Sequence, residues 1–273
     1  METTNTLSHP RLNPNQVATF RREGFLIYDA PVFPAAKFEK LKAHFERKLA
    51  ALPSGARPEA MDVPHFTDTA LFEWLFADEV LDLVEPLIGP DIALFSSHFI
   101  SKPQGDGRRV PWHEDSAYWK GMLKPMEVVT VWLAIDPSLE ENGCMRVIPR
   151  THVEGQKGFS DYEAVDSATN VFHIEIIKPQ RDESKAVPCI LQPNQASLHD
   201  GRVMHGSDAN TSNLRRCGYT RRYVSSGVRL SEKSRESHQI YLARGRDLAG
   251  QSYGDPAQTA DWLMEGRSGK RGH

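Results

Sequence analysis

The sequence has little of several features that would place it in a specialised class of protein. Its 273 residues include only three cysteines, at positions 144, 189 and 217, too widely spaced for a disulfide framework or a zinc-binding pattern. No run approaches ~18 uninterrupted apolar residues, the length that a membrane-spanning helix needs. The first ten residues are polar and lack the apolar segment of a secretory signal. We therefore expect a cytoplasmic protein with free thiols and no membrane partner.

The charge balance also excludes a class of partner. There are 33 lysines and arginines against 36 aspartates and glutamates, a net charge of -3. Without a basic excess, nucleic acid is not expected as a partner. Hydrophobic residues make up 39% and charged residues 25%, as in ordinary globular proteins. The chain is long enough for a sizeable core and shows no internal repeat or linker, so we predict a single domain over residues 1–273.

The first third of the chain, about 13–90, has a helical pattern. Asn13-Pro14 is a typical helix start, and Gly24 is a plausible stop. Apolar residues three and four apart predict a second, amphipathic helix at about 35–52, whose basic face is expected to be solvated. A third helix is predicted to begin at Asp78 and to close at residues 89–90. This part is therefore expected to be mainly α-helical.

From about 91 to 225 the pattern changes to short strands. Residues 128–135 are β-forming and apolar on both faces, which predicts a central strand. The dipeptides at 142–143 and 200–201 predict hairpin turns. The polar stretch 154–185 is typical either of a lid over a binding site or of a mobile surface insertion. Helices followed by many short strands predict an α+β, mainly β fold with a sandwich or barrel, and the polar tail, about 226–273, contains no motif.

Candidate metal ligands lie in this second part. His113 and Asp115 are two residues apart, and on a β-strand such residues project from the same face, with Glu114 turned away. A second histidine, His205, follows much later. Two histidines and one carboxylate on one side of a metal are the ligand set of non-haem Fe(II) oxygenases. Because the chain has 11 histidines, the pair alone is weak evidence and must be judged by its surroundings.

Five stretches in a fixed order supply those surroundings. They are the Phe20 to Phe25 unit, Trp112-His113-Glu114-Asp115, the run Thr130 to Asp136, the segment Glu141 to Pro149, and His205-Gly206-Ser207 with Arg216 eleven residues later. Together, over about residues 13–225, they resemble the phytanoyl-CoA dioxygenase family of Fe(II)/2-oxoglutarate oxygenases. The one departure is Arg150, where the family usually has glycine. A positive φ at Arg150 would cost about 1 kcal/mol.

The resemblance implies a double-stranded β-helix, a jelly-roll or cupin-like core, with the N-terminal helices packed outside. It implies a catalytic Fe(II) held by His113, Asp115 and His205, with 2-oxoglutarate and O2 as co-substrates. The expected reaction is hydroxylation, or another oxidation, of an unactivated C–H bond in a small-molecule substrate, with release of succinate and CO2.

The resemblance further implies that Arg216 anchors the distal carboxylate of 2-oxoglutarate, which matches the guanidinium fork. Ser207 is expected to donate a hydrogen bond to the same group. On a strand, Arg216, Gly218 and Thr220 share one face. Thr130 and Trp132 either line the co-substrate pocket or simply pack in the core. Neither alternative is favoured by the sequence.

Several further residues have two interpretations. Tyr118 and Trp119 follow the metal pair and are candidates for substrate contact, or ordinary aromatic residues. His199, next to a predicted turn, is expected to be structural and not a ligand. Arg222 lies six residues beyond the predicted 2-oxoglutarate anchor, about 20 Å along an extended strand, so we expect it at the surface.

Two functions compete with the oxygenase. One is a cupin-like enzyme that uses manganese or zinc without 2-oxoglutarate, and the predicted 2-oxoglutarate arginine speaks against it. The other is a non-catalytic jelly-roll binding protein, and the complete set of three metal ligands speaks against that. The sequence leaves the substrate and the oligomeric state open.

Overall fold

The computed structural model of the protein describes residues 12–155 and 158–264. The helices in these ranges are α1 (Pro14–Glu23), α2 (Ala35–Ala50), α3 (Phe72–Leu75), α4 (Asp78–Ile88), α5 (Asp115–Tyr118), α6 (Thr151–Gly155) and α7 (Glu232–Arg235). Among the described residues, no helix combines the length and the apolar character needed to cross a membrane. The helices concentrate before the main strands, as expected.

The strands form two principal sheets. The strands are β1 (Phe25–Tyr28), β2 (Met61–Asp62), β3 (Ile92–Lys102), β4 (Val110–His113), β5 (Leu123–Lys124), β6 (Val129–Ala134), β7 (Arg146–Val147), β8 (Tyr162–Ala164), β9 (Ile174–Ile176), β10 (Val187–Pro188), β11 (Ala196–Asp200), β12 (His205–Ser207), β13 (Arg216–Ser225), β14 (Arg229–Leu230) and β15 (Tyr241–Arg244). The large sheet has the order β1-β11-β6-β13-β3-β15, with β2 also paired to β3, and the small sheet has the order β10-β7-β12-β4. The ladders that join these strands are antiparallel.

The three predicted helices are confirmed, and each of their ends lies within two residues of the predicted position. In α1, the Asn13 side chain accepts a hydrogen bond from the backbone N–H of Gln16 at 3.0 Å, and Gly24 ends the helix with a φ of 81°. A positive φ is readily available to glycine, which explains the position of the stop. In α2 the residues Phe38, Leu41 and Phe45 are buried. This stripe faces the sheet and leaves the basic face outside.

The outer face of the large sheet packs against the helices. The Phe45 ring of α2 lies 5.2 Å from that of Phe99 on β3, which stacks at 4.0 Å on Tyr219 of β13. Strand β6 lies between β11 and β13, and all six of its residues are buried, which confirms the predicted central strand. Burial on both faces follows because helices cover the outside and the second sheet lies on the inside.

Both hairpin predictions are wrong, for one physical reason. Asp200-Gly201 leads from β11 in the large sheet to β12 in the small sheet, so its flanking strands do not pair with each other. Asn142-Gly143 forms a 3-10 turn, in which the Asn142 side chain accepts from the Leu139 N–H and donates to the Pro137 carbonyl. A turn signal specifies a local reversal of the chain and not the sheet that receives the next strand.

The C-terminal tail, in which the sequence shows no motif, contributes a strand to the core. Strand β15 pairs with β3 and completes one edge of the large sheet. Its first residue, Tyr241, is buried with its ring 4.7 Å from that of Phe72. Four residues are too few to reveal a strand by periodicity. With the two sheets, the crossing connections and the external helices, the predicted double-stranded β-helix is confirmed.

Arg150 adopts the positive φ that was considered for it, 70°. Its backbone N–H donates to the carbonyl of Glu23 at 2.8 Å, and its guanidinium forms a two-point ion pair with the Glu23 carboxylate at 3.0 Å. These contacts offset the conformational cost of about 1 kcal/mol and tie the loop to the end of α1.

Candidate metal and co-substrate site

Two histidines face each other across the small sheet. His113 ends β4 and is paired directly with His205 at the start of β12, with ring centroids 4.1 Å apart. In each ring, Nδ1 lies next to the main-chain carbonyl two residues earlier, at 2.8 Å for His113 and 3.0 Å for His205. A ring nitrogen beside a carbonyl carries the proton. Each Nε2 therefore keeps a lone pair for a metal.

The Asp115 carboxylate is held by a different element from the predicted one. Strand β4 stops at His113, and Asp115 opens the short helix α5. The two side chains still converge, because Asp115 Oδ1 lies 3.6 Å from His113 Nε2. Glu114 points elsewhere, accepting a hydrogen bond from the Ser160 hydroxyl at 2.6 Å. The predicted single strand is wrong, whereas the predicted convergence of the two groups is correct.

The three groups fit a divalent metal ion. One ligand atom each from His113, Asp115 and His205 lies within 4.8 Å of the others, and all three residues are buried. Burial by itself would raise the pKa of the Asp115 carboxyl. The positive charge of Arg222 and the neighbouring histidines lower that pKa by more, so it is well below its usual value. The set therefore offers two neutral imidazoles and one carboxylate, as in the two-histidine, one-carboxylate facial triad.

Arg222 lies at this site and not at the surface, so the prediction was wrong. It is only 8% exposed, its Nε is 3.3 Å from Asp115 Oδ2, and its guanidinium lies 5.3 Å from the Trp119 ring centroid. The conclusion drawn from a separation of about 20 Å along the strand does not hold, because Arg222 is buried. The interior of the β-helix extends along the whole inner face of β13, so alternate residues as far apart as Arg216 and Arg222 both face inwards.

His199 is a neighbour of the triad. Its Nε2 lies 3.7 Å from Asp115 Oδ2, and its ring centroid is 4.7 Å from that of His205. It is absent from the set of mutually close ligand atoms found in the described ranges. That His199 is not a ligand stays a prediction, and its approach to Asp115 is not indicated by any local sequence pattern.

Arg216 lines the cavity that His113, Asp115 and His205 also line, and the buried Lys102 contacts the same serine as Arg216 does. Arg216 is fully buried, and its Nη2 donates to the Ser207 hydroxyl at 3.3 Å, while Lys102 donates to that oxygen at 2.7 Å. Because the Ser207 oxygen accepts from both, its own proton is available to an anion. Arg216 Nε has no hydrogen-bond partner in the described part of the chain. An unpaired guanidinium nitrogen, a hydroxyl donor and two cations fit a carboxylate.

Arg216 keeps its positive charge at neutral pH. Burial lowers the pKa of Arg216 to about 10, still well above neutrality. Burial and the charge of Arg216 hold the pKa of Lys102 well below its usual value. A bound dianion would oppose both shifts, because an opposite charge favours the protonated forms.

Trp132 and Thr130 occupy different parts of the interior. Trp132 lines the cavity, with the Arg216 guanidinium 5.4 Å from its ring centroid. A Cβ at Gly218 would lie 2.0 Å from a Trp132 ring carbon, so only glycine leaves room for the indole. Thr130 is fully buried one inner-face position away, between His199 and Arg222. A direct contact of either residue with a co-substrate remains a prediction.

An outer cleft of about 520 Å³ adjoins the metal site. Tyr118, Trp119 and Phe172 line it, and the Phe172 ring lies 5.0 Å from the rings of both His113 and Tyr118. Phe172 belongs to the segment 154–185, whose described part includes the β8–β9 hairpin. Glu175 of β9 accepts from the Trp112 N–H at 2.9 Å, which fixes this segment against β4. Substrate contact by Tyr118 and Trp119, and movement of the segment, remain predictions.

The fold and the site together define a class: jelly-roll proteins with a two-histidine, one-carboxylate metal site between two sheets. The sequence profile of the phytanoyl-CoA dioxygenase (PhyH) family matches residues 20–218. The chain belongs to this family.

Similar proteins agree with this assignment. A phytanoyl-CoA dioxygenase domain-containing protein 1 homolog of Dictyostelium discoideum is 28% identical over 154 residues, which are 56% of this chain and 53% of the relative. The chain spans about half the length of the curated relatives it matches. The non-heme monooxygenase ThoJ, in its apo form, superposes with a TM-score of 0.71 at 23% identity, over 93% of this chain and 94% of ThoJ. CytC3 with Fe(II) and alpha-ketoglutarate superposes with a TM-score of 0.63 at 24% identity, over 88% and 91% of the two chains.

Proposed function

We propose that this protein is an Fe(II)- and 2-oxoglutarate-dependent oxygenase that hydroxylates, or otherwise oxidises, a C–H bond of a small-molecule substrate. One observation carries the proposal. The metal triad and the buried Arg216, whose Nε is unpaired among the described residues, line the same cavity. A metal site alone would suit many enzymes, whereas a metal site that shares its cavity with a carboxylate-binding group suits a co-substrate acid. The similar fold of CytC3, which binds Fe(II) and alpha-ketoglutarate, supports the proposal.

The protein's own residues have separate tasks in this reaction. His113 and His205 would bind the iron through Nε2, and Asp115 would add a negative charge that offsets part of the metal's charge. Bound iron, together with 2-oxoglutarate and O2, supplies the oxidising power for the C–H bond, and succinate and CO2 are released. The burial of the three ligands keeps bulk water from the reacting groups.

Contacts with its distal carboxylate would orient the 2-oxoglutarate. Arg216 would bind the distal carboxylate through its guanidinium, and Ser207 would donate the hydroxyl proton that its two cationic neighbours leave free. The two cations compensate the charge of the buried carboxylate. Trp132 would confine the carbon chain beside Arg216. The outer cleft, with Tyr118 and Trp119, would receive the substrate.

An anaerobic titration tests the proposal. Purified protein is loaded with Fe(II), titrated with 2-oxoglutarate while visible charge-transfer absorption is followed, and then exposed to air for measurement of succinate. We expect a saturable absorption band at one metal per chain, and slow succinate release even without substrate. Iron binding without a band or succinate would favour the manganese or zinc enzyme. Binding of neither iron nor 2-oxoglutarate would favour the non-catalytic binding protein.

A further inference from the structure

The two carboxylate oxygens of Asp115 face different partners. Oδ1 is the oxygen near His113, at 3.6 Å from its Nε2, and therefore lies on the side of the metal position. Oδ2 lies 3.3 Å from Arg222 Nε and 3.7 Å from His199 Nε2. One oxygen is thus directed to the ligand set, while the other accepts a hydrogen bond from Arg222 and lies just beyond hydrogen-bond distance of the His199 ring nitrogen.

The two donors reach Asp115 from the large sheet. His199 on β11 and Arg222 on β13 are both paired with Thr130 of β6, which lies between them. Directly paired residues in antiparallel strands project from the same face, so both side chains enter the interior, one on either side of Thr130. Asp115 belongs to α5, which follows strand β4 of the small sheet. The contact therefore connects a metal ligand to the sheet opposite its own.

His199 has no competing partner that would explain its position. Both of its ring nitrogens are buried without a hydrogen bond in the described part of the protein. An unpaired buried imidazole is unfavourable, and Asp115 Oδ2 is the acceptor beside it. Among the described residues, Arg222 makes one other side-chain hydrogen bond, with the Ser96 hydroxyl at 3.5 Å, which is at the limit of such a bond, and its guanidinium lies 5.3 Å from the Trp119 ring centroid.

A free carboxylate can bind a metal through one oxygen or through both. Three protein ligand atoms leave three positions on a six-coordinate ion, the number required by a two-point 2-oxo acid and O2. A second oxygen from Asp115 would occupy one of those positions. We propose that Arg222 and His199 are positioning residues that hold Asp115 Oδ2, so that the carboxylate binds the metal through Oδ1 alone. The inference rests on the proposed function and adds the control of coordination number to it.

Cobalt(II) allows a test without turnover, because its visible absorption changes with coordination number. Metal-free protein is titrated with Co(II) under nitrogen, and the dissociation constant and the d–d spectrum are measured. For Arg222→Met we expect roughly 10–100-fold weaker Co(II) binding and an altered spectrum. His199→Leu should give a smaller effect in the same direction, because His199 is the more distant donor. His199→Gln, which retains an N–H donor, should restore affinity and spectrum towards those of the unchanged protein.

Arg221→Met is the matched control. Arg221 is the preceding arginine on β13, is also buried, and points to the other face, between the rings of Phe33 and Tyr219. Its replacement should leave the Co(II) affinity and spectrum unchanged. If Arg222→Met does not fold, as judged by circular dichroism, Arg222→Lys provides the same test, because lysine retains the charge but lacks the Nε–H.

The outcomes separate the two proposals. Failure of the unchanged protein to bind Co(II) would reject the metal site and the proposed function with it. Strong binding by the unchanged protein, with the same affinity and spectrum in the Arg222 and His199 variants, would reject only the positioning role. Weaker binding with an unaltered spectrum would also reject it, because a general loss of positive or polar surroundings would then be sufficient.

Discussion

His113 and His205 lie directly opposite each other on antiparallel strands, and each Nδ1 is next to the main-chain carbonyl oxygen two residues earlier in the chain. The backbone itself thus sets the proton position and ring orientation of both histidines. A metal site built in this way depends on the pairing of β4 with β12. No distant side chain is needed to orient either imidazole.

Removal of one of these histidines should remove the metal. His205→Ala is expected to weaken Fe(II) or Co(II) binding by more than about 100-fold, since a ligand contributes at least as much as the groups around it. Calorimetric titration under nitrogen measures the change. The exposed His173, replaced by alanine, is the control and should bind metal normally. An unchanged metal stoichiometry and affinity in His205→Ala would reject the assignment of this ligand.

Loss of the Arg216 guanidinium should weaken the binding of 2-oxoglutarate and leave the binding of the metal unchanged. Arg216→Leu removes a charge-assisted contact from a desolvated site, at a cost on the order of 3 kcal/mol, or about 100-fold in the dissociation constant. The measurement is the 2-oxoglutarate titration of the anaerobic Fe(II) protein. Arg215→Leu is the control, because Arg215 instead pairs with Asp136 and Glu46. An unshifted titration in Arg216→Leu would mean that this arginine binds no co-substrate.

Asp115 should make this an oxygen-inserting enzyme and not a halogenase. The carboxylate fills the metal position that a chloride ion would need. Once a substrate is found, mass spectrometry of the product formed in excess chloride should show an oxygenated or desaturated compound. Asp115→Ala should lose most activity, because the metal loses a charged ligand as well. A chlorinated main product from the unchanged protein would show that Asp115 is not on the metal during turnover.

Glu114 should make stability depend on pH. Burial raises the pKa of this carboxyl above its usual value, although the Ser160 hydrogen bonds oppose the shift. The folded state then holds the proton more tightly than the unfolded chain, so this contribution to stability is present below about pH 4.5 and is lost as the pH rises through the folded-state pKa. Glu114→Gln removes the charge with little change of shape.

The thermal midpoint of metal-free protein measures this effect at pH 5 and pH 8. Glu114→Gln should be more stable than the unchanged protein at pH 8, and the difference should shrink at pH 5. An equal difference at the two pH values, or a less stable variant at pH 8, would contradict the assignment of the shift to burial of the charge.

We expect the fold to be less stable with Arg221 than with an apolar residue at this position. It is fully buried, its guanidinium is 5.2 Å from the rings of both Phe33 and Tyr219, and none of its guanidinium nitrogens has a hydrogen-bond partner among the described residues. Contacts with the rings offset only part of the desolvation of a charge. Arg221→Met should stabilise the protein by about 1–4 kcal/mol, by analogy with replacement of buried ionic groups.

Chemical denaturation measures that difference. Arg244→Met provides the contrast, because Arg244 pairs with Asp78, Asp82 and Glu85 and its loss should destabilise the protein. A less stable Arg221→Met would show that this guanidinium has a favourable interaction that outweighs its burial.

Local patterns in the sequence were sufficient to predict helices α1, α2 and α4, the central strand β6 and the types of the candidate ligands. The start and stop of α1 depend on Asn13, Pro14 and Gly24, which act within a single turn of the helix. The alternation of side chains along β13 places Arg216 on one face with Gly218 and Thr220, and the family resemblance implied that this face points inwards. The three predicted metal ligands could be singled out because their short motifs occur in a fixed order with the other stretches that resemble the family. Features of this kind need no knowledge of which strands become neighbours.

The features that only the tertiary structure decided depend on which strands become neighbours. His199 and Arg222 approach Asp115 because β11, β6 and β13 have a particular register and because α5 lies across the interior from them. The chain passes from the large to the small sheet at residues 200–201, and β15 completes an edge of the large sheet. Both features likewise depend on which strands become neighbours. These contacts join residues far apart in sequence through the packing of two sheets. Local periodicity contains no information on that packing, since an inward-facing side chain meets whatever the opposite sheet brings to it.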